Sequence, residues 1–338
     1  MINGHGDDAY LYEGKIASNF SSNVYTRQDM SALDEHLASV VRSIHSYPEP
    51  DAGSLVRLLA EQHEIMPENI CATNGATEAI YLVAQAFRGC RTAIVVPTFS
   101  EYEDACRVNG HALRFCGSLN DIGEDTRLAW LCNPNNPNGT VADRMLLIEM
   151  AARRPDTCFV FDQSYEYFTG KTMLGTKEAL QLRNVVLLHS MTKRFAIPGL
   201  RLGYLTADGN MIRRIAAYRM PWSVNQLAVE AGKFLVGNSA ETVNIAEYLA
   251  ESRRLQFELS KIDGLTVFPS DTHFFLCRTA RGKASELKRR LIETRGILIR
   301  NAANFRGLDE GCFRIAAQSV EENNTLVKAV EEWMRLQY

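Results

Sequence analysis

The stretch HSMTKRFAIPGLRLGY, residues 189–204, places a lysine three residues after a serine and an arginine eight residues beyond that lysine. Read alone, Ser190 to Lys193 match the S-x-x-K of penicillin-recognising serine hydrolases, in which the serine attacks. The same spacing suits a lysine that condenses with an aldehyde while its neighbours hold a phosphate. It also suits an exposed helical turn carrying a charge and no chemistry. The surroundings decide. An S-x-x-K hydrolase needs S-D-N and then K-T-G downstream, and neither follows Lys193.

Immediately before Ser190 stands VVLLH (185–189), a short apolar run rich in β-branched residues. TAIVV (92–96), LAWLC (128–132) and CFVFD (158–162) have the same texture. Between them lie helical stretches such as Thr77 to Arg88 and Arg144 to Arg153. That alternation predicts an α/β fold, with a mostly parallel central sheet flanked by helices. From about Asn225 the texture changes. A charged helical stretch to about Lys261 leads into LTVFPSDTHFFLCR, a further helix, GILIR and CFRIAA, which predict a smaller α+β domain. The expected division is an N-terminal arm over 1–28 that contributes to the small domain and the site, a large domain over 29–235, and a small C-terminal domain over 236–338.

With 338 residues, 46% hydrophobic and 23% charged, the chain can bury a substantial core. A formal charge of −3 gives no electrostatic reason to expect nucleic acid, and runs such as Lys288-Arg289-Arg290 read as solvated helix faces. The opening MINGHGDDAY is too polar for a secretory signal, and no apolar run nears the roughly 18 residues of a membrane span. The eight cysteines never form C-x-x-C and read as reduced, mostly buried thiols of a cytoplasmic protein. The seven histidines form no H-E-x-x-H, so no metal site is expected.

TNGATEAI (73–80), PTFSEY (97–102), NPNNPNG (133–139), Asp162 and Ser190 to Lys193 all fall where strands end at their carboxyl side, the edge where open α/β sheets bind ligands. Gly75, Ala76 and Thr77 would offer backbone N–H groups at a helix start, either as a phosphate cradle or as an ordinary capped terminus. Ser190 could add a hydroxyl and Arg201 a forked guanidinium. Asp162 ends a strand apolar enough to be buried, so its carboxylate needs a cation or several donors. A protonated ring nitrogen is such a cation. Lys193, near cationic groups and apolar walls, would have a lowered pKa and a neutral amine to attack an aldehyde. Phosphate cradle, buried acid and reactive lysine together describe a pyridoxal 5'-phosphate site.

On NGATEAIY, PTFSEY, NPNNPNG, DQSYEY and SMTKRFAIPGLRLGY, the chain resembles the fold-type I pyridoxal-phosphate enzymes of the aspartate aminotransferase superfamily along nearly its whole length. The resemblance implies that Lys193 carries the cofactor and moves the proton at the substrate α-carbon. It implies that Asp162 keeps the pyridine nitrogen protonated, that Asn136 and Tyr165 bond the phenolic oxygen, and that Phe99 stacks on the ring. Gly75, Ala76, Ser190 and Arg201 would bind the cofactor phosphate, with Tyr47, in SYPEP, reaching it from the other subunit of a homodimer.

GHGDD near the start, NFSSN (19–23), PWSVN (221–225) and GILIRNAANFRGLDEGCFRIAA (296–317) are similar to threonine-phosphate decarboxylases, which make the aminopropanol phosphate linker of cobalamin. Histidinol-phosphate aminotransferases are the neighbouring family. The likeness implies a small phosphorylated amino-acid substrate held by His5, Gly6, Asn23, Asn136, Arg300 and Arg314. Arg314 would take the α-carboxylate, and Arg300 with His5 the distal phosphate. Two separated guanidinium forks suit two anionic groups. HGDD stands where relatives have HGG, and NPNG replaces NPTG while keeping Asn136. Decarboxylation of L-threonine O-3-phosphate and transamination of histidinol phosphate or another amino acid both remain open, because the same residues serve either reaction. A non-catalytic cofactor-binding homologue would be expected to have lost Lys193, Asp162, Asn136 or Arg314, and all four are present.

Overall fold

Three of the runs read as strands from sequence are buried at every position, as expected of strands covered on both faces. The structure, a computed structural model, describes residues 8–24, 29–238 and 244–337. Strands in chain order are β1 (Ser18–Asn19), β2 (Ile70–Thr73), β3 (Arg91–Val95), β4 (Ala112–Cys116), β5 (Leu128–Cys132), β6 (Cys158–Asp162) and β7 (Val185–Ser190). They continue with β8 (Gly203–Ala207), β9 (Leu265–Val267), β10 (Phe274–Thr279), β11 (Ile297–Leu298), β12 (Arg300–Asn301) and β13 (Cys312–Ala316).

Seven strands form the large sheet in the order β2-β8-β7-β6-β5-β3-β4. All run the same way except β8, which is antiparallel to both its neighbours. The period of two divides each strand between two layers. Val160 and Val186 pack with Ile80 and Tyr102 on one face, whereas Phe159, Phe161 and Leu187 pack with Leu147 on the other. Each such burial contributes about 1.5–3 kcal/mol. Capping fixes where the covering helices begin. Asp143 accepts from Leu146 N at the start of Arg144–Arg153, and Asn225 from Ala228 N at the start of Gln226–Gly237.

Strands β2, β4 and β8 were not legible as strands from their residues. ICAT and GYLTA carry too much Ala and Gly for a strong propensity, and β4 is an edge strand whose ALRFC is largely solvent-facing. The helix expected from Thr77 starts two residues earlier, at Gly75, because that glycine takes the left-handed φ of +76° that turns the chain out of β2.

The smaller sheet is antiparallel, in the order β12-β13-β10-β9. Helices Ile245–Ser260, Ala284–Arg295 and Val320–Arg335 close over a core containing Phe274, Phe275, Phe313 and Trp333. The arm joins this side: β1 pairs in parallel with β11, and Ala316 N donates to Phe20 O at 2.9 Å. Helix Gln226–Gly237 packs with the large-sheet layers, and helix Ile245–Ser260 with the smaller sheet.

All eight cysteines are free thiols, and every one but the half-buried Cys90 is buried. Among the described residues, no helix is long and apolar enough to cross a membrane, and no three His, Cys, Asp or Glu side chains group as a metal site.

Candidate active site

The five stretches singled out from sequence meet at one edge of the large sheet, at the carboxyl ends of β2, β3, β5, β6 and β7. A cavity of about 160 Å³ opens there. The large sheet contributes Ala76, Phe99, Asn136, Asp162, Tyr165, Ser190, Lys193 and Arg201 to its walls, and the arm and small sheet contribute Asn23, Arg300 and Arg314. Gly75 lies just behind Ala76. Tyr47 does not reach the cavity of its own chain: it is 85% exposed beside Trp222, with ring centroids 5.3 Å apart. His5 and Gly6 lie outside the described residues.

Asp162 is 3% exposed, and three donors hold it. Tyr102 Oη donates to its Oδ2 at 2.7 Å, and Ser164 donates to its Oδ1 through N at 2.9 Å and Oγ at 2.6 Å. The ring of Tyr102 stacks on Trp130 at 5.1 Å, which fixes the direction of that hydroxyl. Burial, then the Asp162 charge, pushes the Tyr102 hydroxyl well above its usual range, so it stays a donor. Sequence reading missed Tyr102 and Ser164, although both stand inside the quoted PTFSEY and DQSYEY. The available signal was the need of a buried carboxylate for donors.

The turn from β2 into helix Gly75–Ala86 is pressed between Arg201 and Gly203. A Cβ on Gly75 would stand 2.8 Å from Arg201 Nη2, and one on Gly203 would stand 2.7 Å from Ala76 N. The N-cap Asn74 places no side-chain acceptor on the first helical turn. This uncapped first turn, at Ala76 and Thr77, and the Arg201 guanidinium line the same cavity, an arrangement suited to an anion.

On the opposite wall, Arg314 Nη1 donates to Asn136 Oδ1 and Nη2 to Ser21 O, each at 2.5 Å. Asn23 Nδ2 donates to Tyr165 Oη at 3.2 Å, and the buried Asn23 Oδ1 has no partner among the described residues. A buried acceptor left so costs about 1–3 kcal/mol, which a ligand donor in the cavity would recover. Burial pushes the Tyr165 hydroxyl up to about 12. Lys193 Nζ lies 6.0 Å from the centre of the Tyr165 ring. Arg300 is buried, donates from Nη2 to Asn304 Oδ1 at 3.1 Å, and separates this cavity from a larger one of about 1020 Å³ lined by Lys15, Lys288 and Arg289.

Behind the site, His273 Nε2 donates to Asn23 O at 3.3 Å. Burial, with the nearby charges of Arg314 and Lys193, pulls its pKa from 6.5 to about 3. Burial and the neighbouring His189 pull His63 from 6.5 to about 4. Both rings bind protons more weakly folded than unfolded. Stability is therefore full above pH 6.5 and falls as pH drops, the loss levelling off near 4 for His63 and near 3 for His273. Melting temperature measured across this range should fall with acid, and less steeply for His273→Asn. Parallel curves for the two proteins would contradict the role of His273.

With that geometry in place, the similarities to known proteins are specific. A family profile described as Aminotransferase class I and II matches residues 15–330. The chain is 33% identical over 329 residues to threonine-phosphate decarboxylase of Salmonella typhimurium, covering 92% of this chain and 89% of that one. It is 31% identical over 315 residues to histidinol-phosphate aminotransferase of Caldanaerobacter subterraneus, covering 88% of each. Among solved structures, it is similar to L-threonine-O-3-phosphate decarboxylase from Porphyromonas gingivalis, with 40% identity, a TM-score of 0.92, and coverage of 94% of this chain and 99% of that one.

Proposed function

The chain belongs to the class I and II aminotransferase family, and from that premise we propose that it decarboxylates L-threonine O-3-phosphate to 1-amino-2-propanol phosphate, the linker of cobalamin. The observation that carries this reading is the pair of buried guanidiniums, Arg314 and Arg300, at one cavity. A substrate with a carboxylate at one end and a phosphate at the other gives each of them a matching anion.

The cofactor is pyridoxal 5'-phosphate, and the residues present fit it. Its phosphate would lie against the first turn of helix Gly75–Ala86, held by the amides of Gly75 and Ala76, by Ser190 and by Arg201. Tyr47 of the partner subunit would complete that cradle in a homodimer, a role that suits a tyrosine so exposed on its own chain. Asp162, oriented by Tyr102 and Ser164, would face the ring nitrogen. Asn136 and Tyr165 would hold the phenolic oxygen, and Phe99 would cover one face of the ring. When bound, the cofactor supplies a sink for the electron pair released at the substrate α-carbon. Arg314 fixes the carboxylate and Arg300 the phosphate, and together they determine which bond at that carbon is exposed. The Lys193 amine delivers the proton that the α-carbon takes up after CO2 departs.

Transamination is the second reading, favoured by the similarity to histidinol-phosphate aminotransferase. Incubating holoenzyme with L-threonine O-3-phosphate, with and without 2-oxoglutarate, separates the two. CO2 and aminopropanol phosphate formed without keto acid are expected. Absence of CO2, with glutamate appearing from 2-oxoglutarate when this compound or histidinol phosphate is supplied, would replace the decarboxylase with an aminotransferase.

A further inference from the structure

Three consecutive residues in the loop between β12 and β13 have three separate contacts around the cavity. Asn304 Oδ1 accepts from Arg300 Nη2 at 3.1 Å. Phe305 is 6% exposed and forms part of the cavity wall, with the Arg300 guanidinium 5.6 Å from the centre of its ring. Arg306 crosses to the large-sheet side and grips Glu103 with both arms of its fork, Nε to Oε2 at 3.0 Å and Nη2 to Oε1 at 2.7 Å. Its guanidinium also lies 4.0 Å over the ring of Phe115. Glu103 sits in helix Glu101–Val108, which begins directly after the wall residues Phe99 and Ser100.

Beside Phe305 is an adjoining cleft of about 340 Å³, bounded by Phe99, Phe115 and residues 303–308 of the same loop. Phe305 lines both spaces, as do Phe99 and Ser100, so its ring is one of three side chains that stand between them, and the one beside Arg300. A backbone shift that carried Phe305 toward the cleft would also have to move residue 306. A bidentate guanidinium–carboxylate pair resists that movement in angle as well as distance.

We infer that Phe305 sets the length of substrate that the site accepts, admitting an amino acid whose phosphate is one ester linkage beyond Cβ and excluding longer chains. The Arg306–Glu103 pair holds this wall in place, and Asn304 sets the Arg300 anchor against it. The inference deepens the substrate reading proposed above and rests on it. Phe305 contacts the substrate side of the cavity, whereas Arg306 and Glu103 act through it as positioning residues.

The test uses holoenzyme and two probes, L-threonine O-3-phosphate and the longer 2-amino-7-phosphonoheptanoate. Binding of the longer probe is measured by calorimetry, and KM, as the apparent affinity, and kcat/KM are measured for the first, which the holoenzyme turns over. Phe305→Ala should join the two spaces, tighten binding of the longer probe by at least about tenfold, and lower kcat/KM for the shorter. Arg306→Gln should move the ratio of the two affinities the same way by a smaller factor. Glu103→Gln should match it, and the double variant should go no further. If Phe305→Ala folds poorly, Phe305→Leu and Arg306→Gln read the same ratio. An unchanged ratio in variants that still turn over the shorter substrate would overturn the role of Phe305 alone. Wild-type enzyme that binds neither probe would overturn the substrate reading, and this inference with it.

Discussion

Lys193→Ala is expected to lower turnover by at least about 10⁴-fold, the upper range for loss of a positioned proton carrier. It should also leave no cofactor covalently attached after borohydride reduction and denaturation. Both effects have one cause. Lys193 is the one lysine on the cavity wall among the described residues, so no second amine stands ready to replace it. The substitution should leave the fold intact, because the lysine lies in the short helix Met191–Arg194, whose buried members are Met191 and Thr192. Retention of the covalent link in this variant would show that the reactive amine lies elsewhere.

Asp162→Asn should lower kcat/KM by about 10²–10⁴-fold and weaken cofactor binding. Removing one charge from a buried pair costs about 3–5 kcal/mol, and each 1.36 kcal/mol is a factor of ten. Asparagine keeps the shape and can still accept from Tyr102 or Ser164, so the loss reports charge and not packing. Asp162→Ala would also strand three buried donors, at about 1–3 kcal/mol each, and would mix a folding defect with the catalytic one. Rates of CO2 release and the cofactor dissociation constant measured on Asp162→Asn decide the matter. A change below threefold in both would remove Asp162 from its proposed place beside the ring nitrogen.

Much of the fold could be read from local texture, because β5, β6 and β7 open on apolar runs, are buried at every position and stand between helical stretches. The shared sheet edge followed from that alternation, since parallel strands must all point their carboxyl ends the same way. Strands β2, β4 and β8 escaped because what makes them strands is their neighbours: ICAT and GYLTA have little propensity outside the sheet that holds them. The donors around Asp162 escaped for a related reason. Its need for partners was evident, but only tertiary packing brings Tyr102, sixty positions away in sequence, to 2.7 Å. Phe305 gave no local sign of its position, because a phenylalanine in a loop reads as core until the space behind it is seen. Tyr47 depends on a second chain, and the choice between losing CO2 and losing a proton depends on angles that residue types do not encode.

The longest of the site's internal links joins Arg314 to the carbonyl of Ser21, 293 positions apart. The arm precedes the rest of the pocket in the chain and can settle only when β13 arrives, since Ala316 N also closes on Phe20 O. A growing chain therefore carries an incomplete pocket until β13 has emerged, and the entropy of that closure is met late. Substrate capture, and not cofactor capture, then waits on the end of folding: a chain stalled before β13 can present the edge of the large sheet, but it lacks the wall that would let it keep a substrate.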